Sequence, residues 1–506
     1  MKRPLTTVGF TLFAFICTLF FICRTDVAFS VLCISAFIAV TTSVINRRVT
    51  VLLLLCGTMV LACLLFFFSD TGRGKVQSLA GNNVYVEATV SKPPLFDTEN
   101  ARHYAVCRLR TLDGKRAEGN LRLSFSATKD EIDPDLLETG NRISFTGRVY
   151  LPGMGYENAE RCFYSENIFL GAYGAEGFSI KEPLLRDVSY YFGRLRSLLS
   201  EKTAVSFPDD VSALLMGILT GDKDSMDGKV YDDFKASGTA HLMAVSGLHL
   251  SVWVAFVGLI IPSDGRFDKL RFILIAAVIV FVMLLAGMSK SVTRAGLMSF
   301  MSVFASFFKT RSDSLNNLGA AVLIMILFDP YCALSVSFQL SAISTLSVLT
   351  LGKALMRRSD SFFGYRYFVP TKPKKLMKYL FDSACLCISV VIFTFPVMVY
   401  SFGGISTVTL YTNLLVVPVI TPLMILGGIC VLTSSVTFIS YPLAVVVNCV
   451  AEYVLAVTRF FAGFENAFLS FEAANYGRYI LAAVIITVFL AAVFKKNICN
   501  SIRNVL

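Results

Sequence analysis

Long apolar stretches recur along the chain, and short polar loops separate them. Three of these stretches open the sequence, near residues 8–23, 27–45 and 49–68. A hydrocarbon layer about 30 Å thick needs roughly 20 apolar residues per helix, and in lipid every backbone N–H and C=O must be paired within the protein. The pattern therefore predicts a polytopic α-helical membrane protein with about 12 spans. The spans predicted after residue 209 lie near residues 240–262, 271–288, 291–309, 315–329, 333–352, 379–401, 410–433, 436–460 and 478–494.

The region between residues 69 and 187 follows a different pattern, in which apolar and polar positions alternate. Residues 84–90, 121–127 and 143–149 each show this alternation, and turns rich in Gly or Pro separate them. Such alternation is typical of strands with one buried face, and several short strands within about 100 residues predict a small barrel. The predicted domains are three N-terminal helices (1–68), an extracytoplasmic all-β domain (69–187), an amphipathic linker helix (188–208) and a second membrane region (209–506).

Charge adds a prediction of topology. Hydrophobic residues make up 55% of the chain and charged residues 16%, whereas soluble proteins carry roughly 25% charged residues. The net charge is +11, but residues 69–187 hold 15 Lys+Arg against 17 Asp+Glu, so the basic surplus lies in the membrane regions. By the positive-inside rule, this distribution predicts an inner-membrane protein with both termini in the cytoplasm. The alternative interpretation is a basic surface that attracts DNA.

Cysteine and histidine usage limits the chemistry that the chain can perform. The chain has three His and no CxxC pair, so we expect no metal site and no cofactor. Of the 13 cysteines, only Cys107 and Cys162 lie in the polar domain, where an extracytoplasmic location would permit the disulfide that we predict between them. We expect no enzyme, because no set of nucleophile, base and orienting group is evident.

The stretch near residues 240–258 combines polar side chains with an otherwise apolar helix. On a continuous helix His241, Ser246 and His249 fall within an arc of roughly 140°, and the opposite face is apolar. Ionisable groups in a membrane segment are costly and usually face a bundle interior or a wet path. The alternative places His241 at the outer interface and lets His249 bond a neighbouring helix. Gly247 permits close helix approach, which is ordinary packing in membranes.

This stretch belongs to a longer segment that resembles a known family. The run GDKDSMDGKVYDDFKASGTAHLMAVSGLHLSV, residues 221–252, is similar to the hallmark of the ComEC family of competence channels; we call it the hallmark segment. Its loop positions are Gly221, Asp222, Gly238 and Thr239. Further matches follow in the family's order: SVTRAGLM at 291–298, RSDSLNN at 311–317, DPYCALSVSFQLS at 329–341 and FTFPVMVYSFGGISTVTLYTNLLVVPVI at 393–420. Five matches occur in one order, and since the three N-terminal spans followed by a small β domain also fit the family, the resemblance covers essentially the whole chain.

The resemblance implies a channel that admits single-stranded DNA during natural transformation. We expect the transport path to be lined by His241, Ser246, Gly247, His249, Arg294, Gln339, Ser341 and Asn413. Arg294 has an alternative, because it lies near the end of its span and snorkelling to the interface explains it equally well. Gln339 has one too, since it would serve equally well in hydrogen bonds between helices.

The resemblance also implies that the β domain is OB-like and guides the DNA strand. Such barrels bind single strands through base stacking and a basic groove. The candidate contacts are Arg108, Arg110, Arg122, Arg142 and Arg148, together with Tyr85, Tyr104 and Phe125. Scattered surface charge on a domain of net charge −2 is the alternative for each of them.

The chain departs from many family members in one respect. They continue into a metallo-β-lactamase-like domain with an HxHxDH motif, which this chain's three His do not form. We therefore expect a channel-only member. Its expected partners are single-stranded DNA, membrane lipid, a separate DNA receptor, a cytoplasmic ATPase and a nuclease, with a homo-oligomer left open. A transporter for another polymer or a small solute is the competing function, because the same membrane fold would serve it equally well.

Overall fold

The computed structural model describes most of the chain in two compact units. The described residues are 4–22, 49–97, 102–126, 132–153, 159–183, 186–222, 226–243, 245, 247–261, 268–362, 372–434 and 436–471. One unit comprises Met1–Leu195 with Gly319–Phe338, and the other comprises Arg196–Leu318 with Gln339–Leu506. The spans predicted near 27–45 and 478–494 lie outside the described residues, as does Ser246.

The first unit begins with two helices, α1 (Pro4–Ile22) and α2 (Val49–Gln77), and continues into a β domain. Its strands are β1 (Asn83–Asp97), β2 (Arg102–Leu112), β3 (Lys115–Arg116), β4 (Asn120–Phe125), β5 (Arg142–Tyr150) and β6 (Ile168–Lys181). A short helix, α3 (Ala159–Ser165), precedes β6. The predicted strand segments 84–90 and 143–149 are therefore confirmed, and the segment 121–127 is confirmed as a strand up to residue 125, with residue 127 outside the described part.

The five long strands close into a ring. The hydrogen-bonded order is β1-β5-β6-β4-β2, and an antiparallel pairing of β1 with β2 completes the circle. All neighbouring pairs are antiparallel except β4 with β6, which is parallel. Inward side chains such as Val86, Leu123 and Phe145 are fully buried. The two-residue alternation thus produces a barrel-like domain in which the inward apolar positions of the strands form one core.

A segment that is distant in sequence packs against this domain. The 3-10 turn Pro330–Leu334 contributes Tyr331 to the domain core, where its ring lies 5.3 Å from the ring of Phe169. Asn167 donates a hydrogen bond from Nδ2 to Oδ2 of Asp329 at 3.2 Å. The apolar periodicity of residues 329–341 gave no sign of this docking.

Helices make up most of the rest of the chain. They are α4 (Val188–Ser206), α5 (Asp209–Thr220), α6 (Gly228–Ala236), α7 (Gly247–Ile260), α8 (Asp268–Leu285), α9 (Lys290–Phe307), α10 (Ser314–Phe328), α11 (Val336–Ser347), α12 (Lys353–Phe362), α13 (Lys372–Phe402), α14 (Thr409–Leu432) and α15 (Thr437–Ala462). A pair of short strands, β7 (Gly404–Ser406) and β8 (Phe468–Ser470), completes the described part.

Four helical stretches in the described part are long and apolar enough to cross a membrane. They are Val336–Ser359, Met377–Phe402, Thr409–Leu432 and Thr437–Ala462. The chain is accordingly a membrane protein that also contains a barrel-like β domain, while the total of about 12 spans stays a prediction.

The structure corrects the expectation of one continuous helix over residues 240–262. Residues Ala240–Met243 form a 3-10 turn, and α7 begins only at Gly247 and has 14 residues. His241 and His249 therefore do not share a helix, and the predicted arc of polar side chains does not exist as one helical face. His241 is exposed, whereas His249 is buried.

Candidate nucleic-acid interface and transport path

The outer face of the barrel contains an open cleft of about 320 Å³. It is lined by Arg102, Tyr104, Ser124, Tyr150 and Tyr173, which come from four strands. Tyr104 and Ser124 are register partners on β2 and β4, so their side chains share one face of the sheet. Three phenol rings and an arginine therefore converge on a surface that leaves room for a ligand.

Gly171 gives this cleft its shape. It is the register partner of Arg122 on β4 and of Tyr150 on β5, so it lies between two large outward side chains. A Cβ at position 171 would overlap the ring of Tyr150. Because glycine has no side chain, the Tyr150 ring can lie across β6, with its centroid 5.7 Å from that of Tyr173.

Arg122 supports the floor of the cleft through its contacts with aromatic rings. Its guanidinium carbon lies 3.8 Å from the centroid of Tyr104 and 5.2 Å from that of Phe163 on α3. These are cation–π distances. Burial raises the pKa of Tyr150 above its ordinary value, and the charge of Arg122 partly opposes that rise. The phenol is therefore neutral at physiological pH and presents a flat, uncharged ring beside a fixed positive charge.

The five arginines predicted to guide DNA occupy different parts of the domain. Arg122 flanks the cleft, and Arg148 is the register partner of Tyr173. Arg108, Arg110 and Arg142 are exposed further along β2 and β5. None of Arg108, Arg110 and Arg142 lines the cleft.

The aromatic candidates also divide. Tyr104 lines the cleft, Tyr85 is exposed on β1 without lining it, and Phe125 is fully buried in the barrel core. Phe125 cannot stack on a base without unpacking that core. Sequence reasoning missed Arg102, Tyr150 and Tyr173. Extending the alternation of 143–149 by one position would have placed Tyr150 outward, but alternation gives no indication of which strand lies beside β5.

The predicted disulfide between Cys107 and Cys162 is not formed. Both thiols are free. Cys107 points into the barrel core from β2 and is fully buried, whereas Cys162 is exposed on α3. The two-residue period of β2 gives the physical reason, because the inward position that buries the Cys107 side chain also keeps it from an exposed partner.

The loop positions of the hallmark segment end two helices. Gly221 follows α5 with a φ of 79°, and its amide bonds to the carbonyl of Gly217 at 3.0 Å. Gly238 follows α6 with a φ of 77°, and a Cβ there would overlap the Thr409 side chain. Left-handed backbone at a helix end favours glycine. Thr239 is fully buried, and its Oγ1 lies 2.7 Å from Oγ of Ser237.

Asp222 has a charged neighbour from the preceding part of the chain. The carboxylate acts electrostatically on Arg196 of α4, whose pKa is lowered by burial and partly restored by that charge. The guanidinium of Arg196 also lies at the 286–288 turn, where a Cβ on Gly287 would be 3.0 Å from its Nη1. The hallmark loop is thereby tied to two other segments of its unit.

Three of the predicted path residues come together where α7, α9 and α11 meet. Arg294 on α9 is 5% exposed and donates from Nη1 to Oγ1 of Thr345 on α11. Nη2 of Arg294 lies 3.8 Å from the position of a Cβ on Gly247. Ser341 on α11 lies 2.7 Å from Ser291 on α9, Oγ to Oγ. The burial of Arg294 contradicts the snorkelling alternative.

The remaining path candidates lie at other positions. Gln339 and His249 are buried on α11 and α7, respectively. Asn413 is half-buried on α14, within hydrogen-bonding reach of Cys387 on α13. No group of three or more His, Cys, Asp or Glu able to hold a metal ion occurs in the part of the chain that the structure describes.

Comparison with known proteins identifies the family. The family model described as Competence protein matches residues 218–496, more than half of the chain. The chain belongs to this family. The matched range contains the hallmark loop, the three converging helices and Asn413, and it begins after the barrel. The predicted resemblance to ComEC-type competence proteins is confirmed.

Individual relatives of this competence protein are distant. It is 22% identical to ComE operon protein 3 of Bacillus subtilis over 74% of its own length and 46% of that protein's. It is 25% identical to Recombination protein 2 of Haemophilus influenzae over 50% of its length and 32% of the relative's, and 26% identical to the uncharacterized protein YcaI of Escherichia coli over 45% and 30%. The chain thus spans less than half of each of these relatives. No solved structure matches it.

Proposed function

We propose that this chain takes part in the uptake of DNA across the cytoplasmic membrane, and that it handles the DNA as a single strand. One observation carries the proposal. A chain of the competence family presents, on its β domain, a cleft that combines three tyrosine rings with arginine. Every nucleobase has a face that can stack on an aromatic ring, and arginine attracts the phosphates, so this combination suits single strands irrespective of sequence.

The topology of the barrel supports an OB-like assignment. The ring of five strands with a single parallel pair, β4 with β6, agrees with such a fold. In this proposal the cleft residues Arg102, Tyr104, Tyr150 and Tyr173 hold the strand, with Arg122 beside them. A wider positive surface is added by Arg108, Arg110, Arg142 and Arg148. The domain would then guide DNA from outside the cell.

The helices would supply the crossing. A phosphate that leaves water needs hydrogen-bond donors to replace its hydration. Arg294 lies beside Gly247 and bonds Thr345, one turn after Ser341, and His249 and Gln339 are buried on α7 and α11. The proposed path includes these residues, together with His241, Ser246 and Asn413.

The remaining parts of the proposal concern topology and partners. The termini would lie in the cytoplasm, the domains would be divided at residues 68, 187 and 208, and the path would be a channel without catalytic activity. A separate DNA receptor, a cytoplasmic ATPase and a nuclease would act with it. The ATPase would supply the force for transport.

The test is a clean deletion in a transformable host, complemented by the full-length gene. Transformation is measured with chromosomal and plasmid DNA, and entry of fluorescently labelled DNA is followed directly. We expect both to fall to background in the deletion strain and to return on complementation. Normal frequencies in the deletion strain would exclude the uptake role. Proteoliposomes that take up a small solute or another polymer but no single-stranded DNA would favour a different transporter.

A further inference from the structure

Arg294 is a buried cation for which the described part of the chain offers no carboxylate. Its side chain is 5% exposed, and no described Asp or Glu forms an ion pair with it. Taking a charge out of water without a counter-charge is strongly unfavourable. A protein that retains such a group therefore gains something from it that a neutral side chain would not supply.

One edge of the guanidinium is unused. Nη1 donates to Oγ1 of Thr345, which fixes the orientation of the planar group. Nε is fully buried and has no hydrogen-bond partner among the described residues. The Nε–H and one Nη2–H point in parallel from the same edge, and paired oxygens of carboxylates and phosphates accept this fork side by side.

The unused edge lies at the start of a helix. Nη2 is 3.8 Å from the position that a Cβ on Gly247 would take, and Gly247 is the first residue of α7. The first N–H groups of an α-helix have no acceptor within the helix, and they give that end a partial positive charge. A guanidinium and a helix N-terminus, both of which attract anions, therefore lie next to each other, and glycine places no side chain between them.

The geometry points to a phosphate-binding site formed by Arg294 and the first turn of α7. Phosphate oxygens would accept the Nε–Nη2 fork on one side and backbone N–H groups of α7 on the other. That the site binds phosphate is inferred from the contacts of Arg294 described above. The identity of its occupant as a phosphodiester of the DNA strand in transit rests on the proposed function.

Trp253 provides a reporter for this site within the unaltered protein. It is the only tryptophan of the chain and lies on α7, six residues after Gly247. Its fluorescence in the purified full-length protein in detergent would be titrated with inorganic phosphate, a dT oligonucleotide, a dT methylphosphonate of the same length, which has an uncharged backbone, and short-chain phosphatidylglycerol. We expect saturable responses to phosphate and to the dT oligonucleotide, and none to the methylphosphonate.

Two arginines beside α7 form a matched pair of variants. Arg294→Gln should abolish the phosphate response, and Arg294→Lys, which keeps the charge but loses the fork, should weaken it about tenfold. Arg271→Gln is the control, because Arg271 of α8 lies near the other end of α7, with Nη2 3.3 Å from the Cβ position of Gly258. Phosphate affinity of Arg294→Gln equal to that of the wild type, or an equal loss in Arg271→Gln, would overturn the site.

Thermal stability separates a binding site from a purely structural role. In phosphate-free buffer Arg294→Gln should unfold at the same temperature as the wild type or higher, since an uncompensated charge has been removed, and added phosphate should stabilise only the wild type. A lower unfolding temperature with an undiminished stabilisation by phosphate would overturn the proposal. If the Gln variant does not fold, Arg294→Lys takes its place, and stabilisation of the Lys variant by phosphate equal to that of the wild type would overturn the site.

The occupant is tested separately from the site. A response to phosphatidylglycerol but not to the oligonucleotide, or normal transformation by a strain carrying Arg294→Gln, would overturn the assignment to the DNA strand. Neither result affects the test of phosphate binding by the site, which the titration with inorganic phosphate measures separately. Failure of the proposed function would appear instead as normal transformation of the deletion strain.

Discussion

Tyr173 offers the sharpest test of the barrel cleft. Its side chain is 37% exposed, and its ring lies 5.7 Å from that of Tyr150, tilted by 50°. The outer face of the ring is therefore free for a nucleobase. Because the side chain contributes little to the core, its removal should leave the fold intact.

The expected effect of Tyr173→Ala follows from stacking. A base on an aromatic side chain contributes about 1–3 kcal/mol, and 1.4 kcal/mol corresponds to a factor of ten in Kd. One lost platform should thus weaken binding of a dT oligonucleotide by about 5- to 150-fold. Tyr173→Phe keeps the ring and should bind as the wild type does.

Fluorescence anisotropy of a labelled oligonucleotide with the full-length protein would measure this at two salt concentrations. Tyr85→Ala is the matched control, because Tyr85 is 42% exposed on β1 and does not line the cleft. Equal affinities of Tyr173→Ala and the wild type would refute the stacking argument. An equal loss in Tyr85→Ala would show that the cleft has no special role.

Three other substitutions or treatments test the geometry. Gly171→Ala should displace the Tyr150 ring and lower the free energy of unfolding by about 1–3 kcal/mol, which thermal unfolding would show. It should also weaken oligonucleotide binding, which anisotropy would show. A membrane-impermeant maleimide should label Cys162 in the folded protein at pH 7 but not Cys107, whose pKa burial raises to about 12; mass spectrometry showing equal labelling, or a bridge between the two, would contradict the structure. Gly238→Ala should lower the free energy of unfolding by about 2–5 kcal/mol, because of the left-handed backbone and the overlap with Thr409. The control Gly228→Ala, where a Cβ would meet open space, should be neutral. Equal unfolding temperatures for the two variants would count against this account.

Features that depend on neighbours along the chain were predictable. The two-residue alternation of 143–149 identified β5 because successive side chains of a strand point to opposite faces. The apolar runs near 410–433 and 436–460 became α14 and α15 with nearly the predicted bounds, since a backbone in lipid must satisfy its own hydrogen bonds. The ordered motifs indicated the family, and the match to residues 218–496 confirmed it.

Features that depend on residues far apart in the chain could not be predicted from the sequence. Tyr150 was predictable as an outward residue, but only the ring order of the strands placed it across Gly171 and beside Tyr173. The alternation of β2 turns Cys107 into the core, and Cys162 is free and exposed on α3. Only the fold showed that the two cysteines form no disulfide. Periodicity reports which face a side chain occupies, and it contains no information about which element covers that face.

The membrane region shows the same division between local and distant information. The apolar average over residues 240–262 predicted one helix, yet the chain forms a 3-10 turn and then a separate helix from Gly247. For Arg294 the sequence left a wet path and the membrane interface equally open. The tertiary structure excluded the interface, because Thr345 from α11 holds the guanidinium inside, against the start of α7, and the wet path stays a proposal. The sequence by itself determined the kinds of element and the family, whereas packing of helices far apart in the chain determined where this one charge lies.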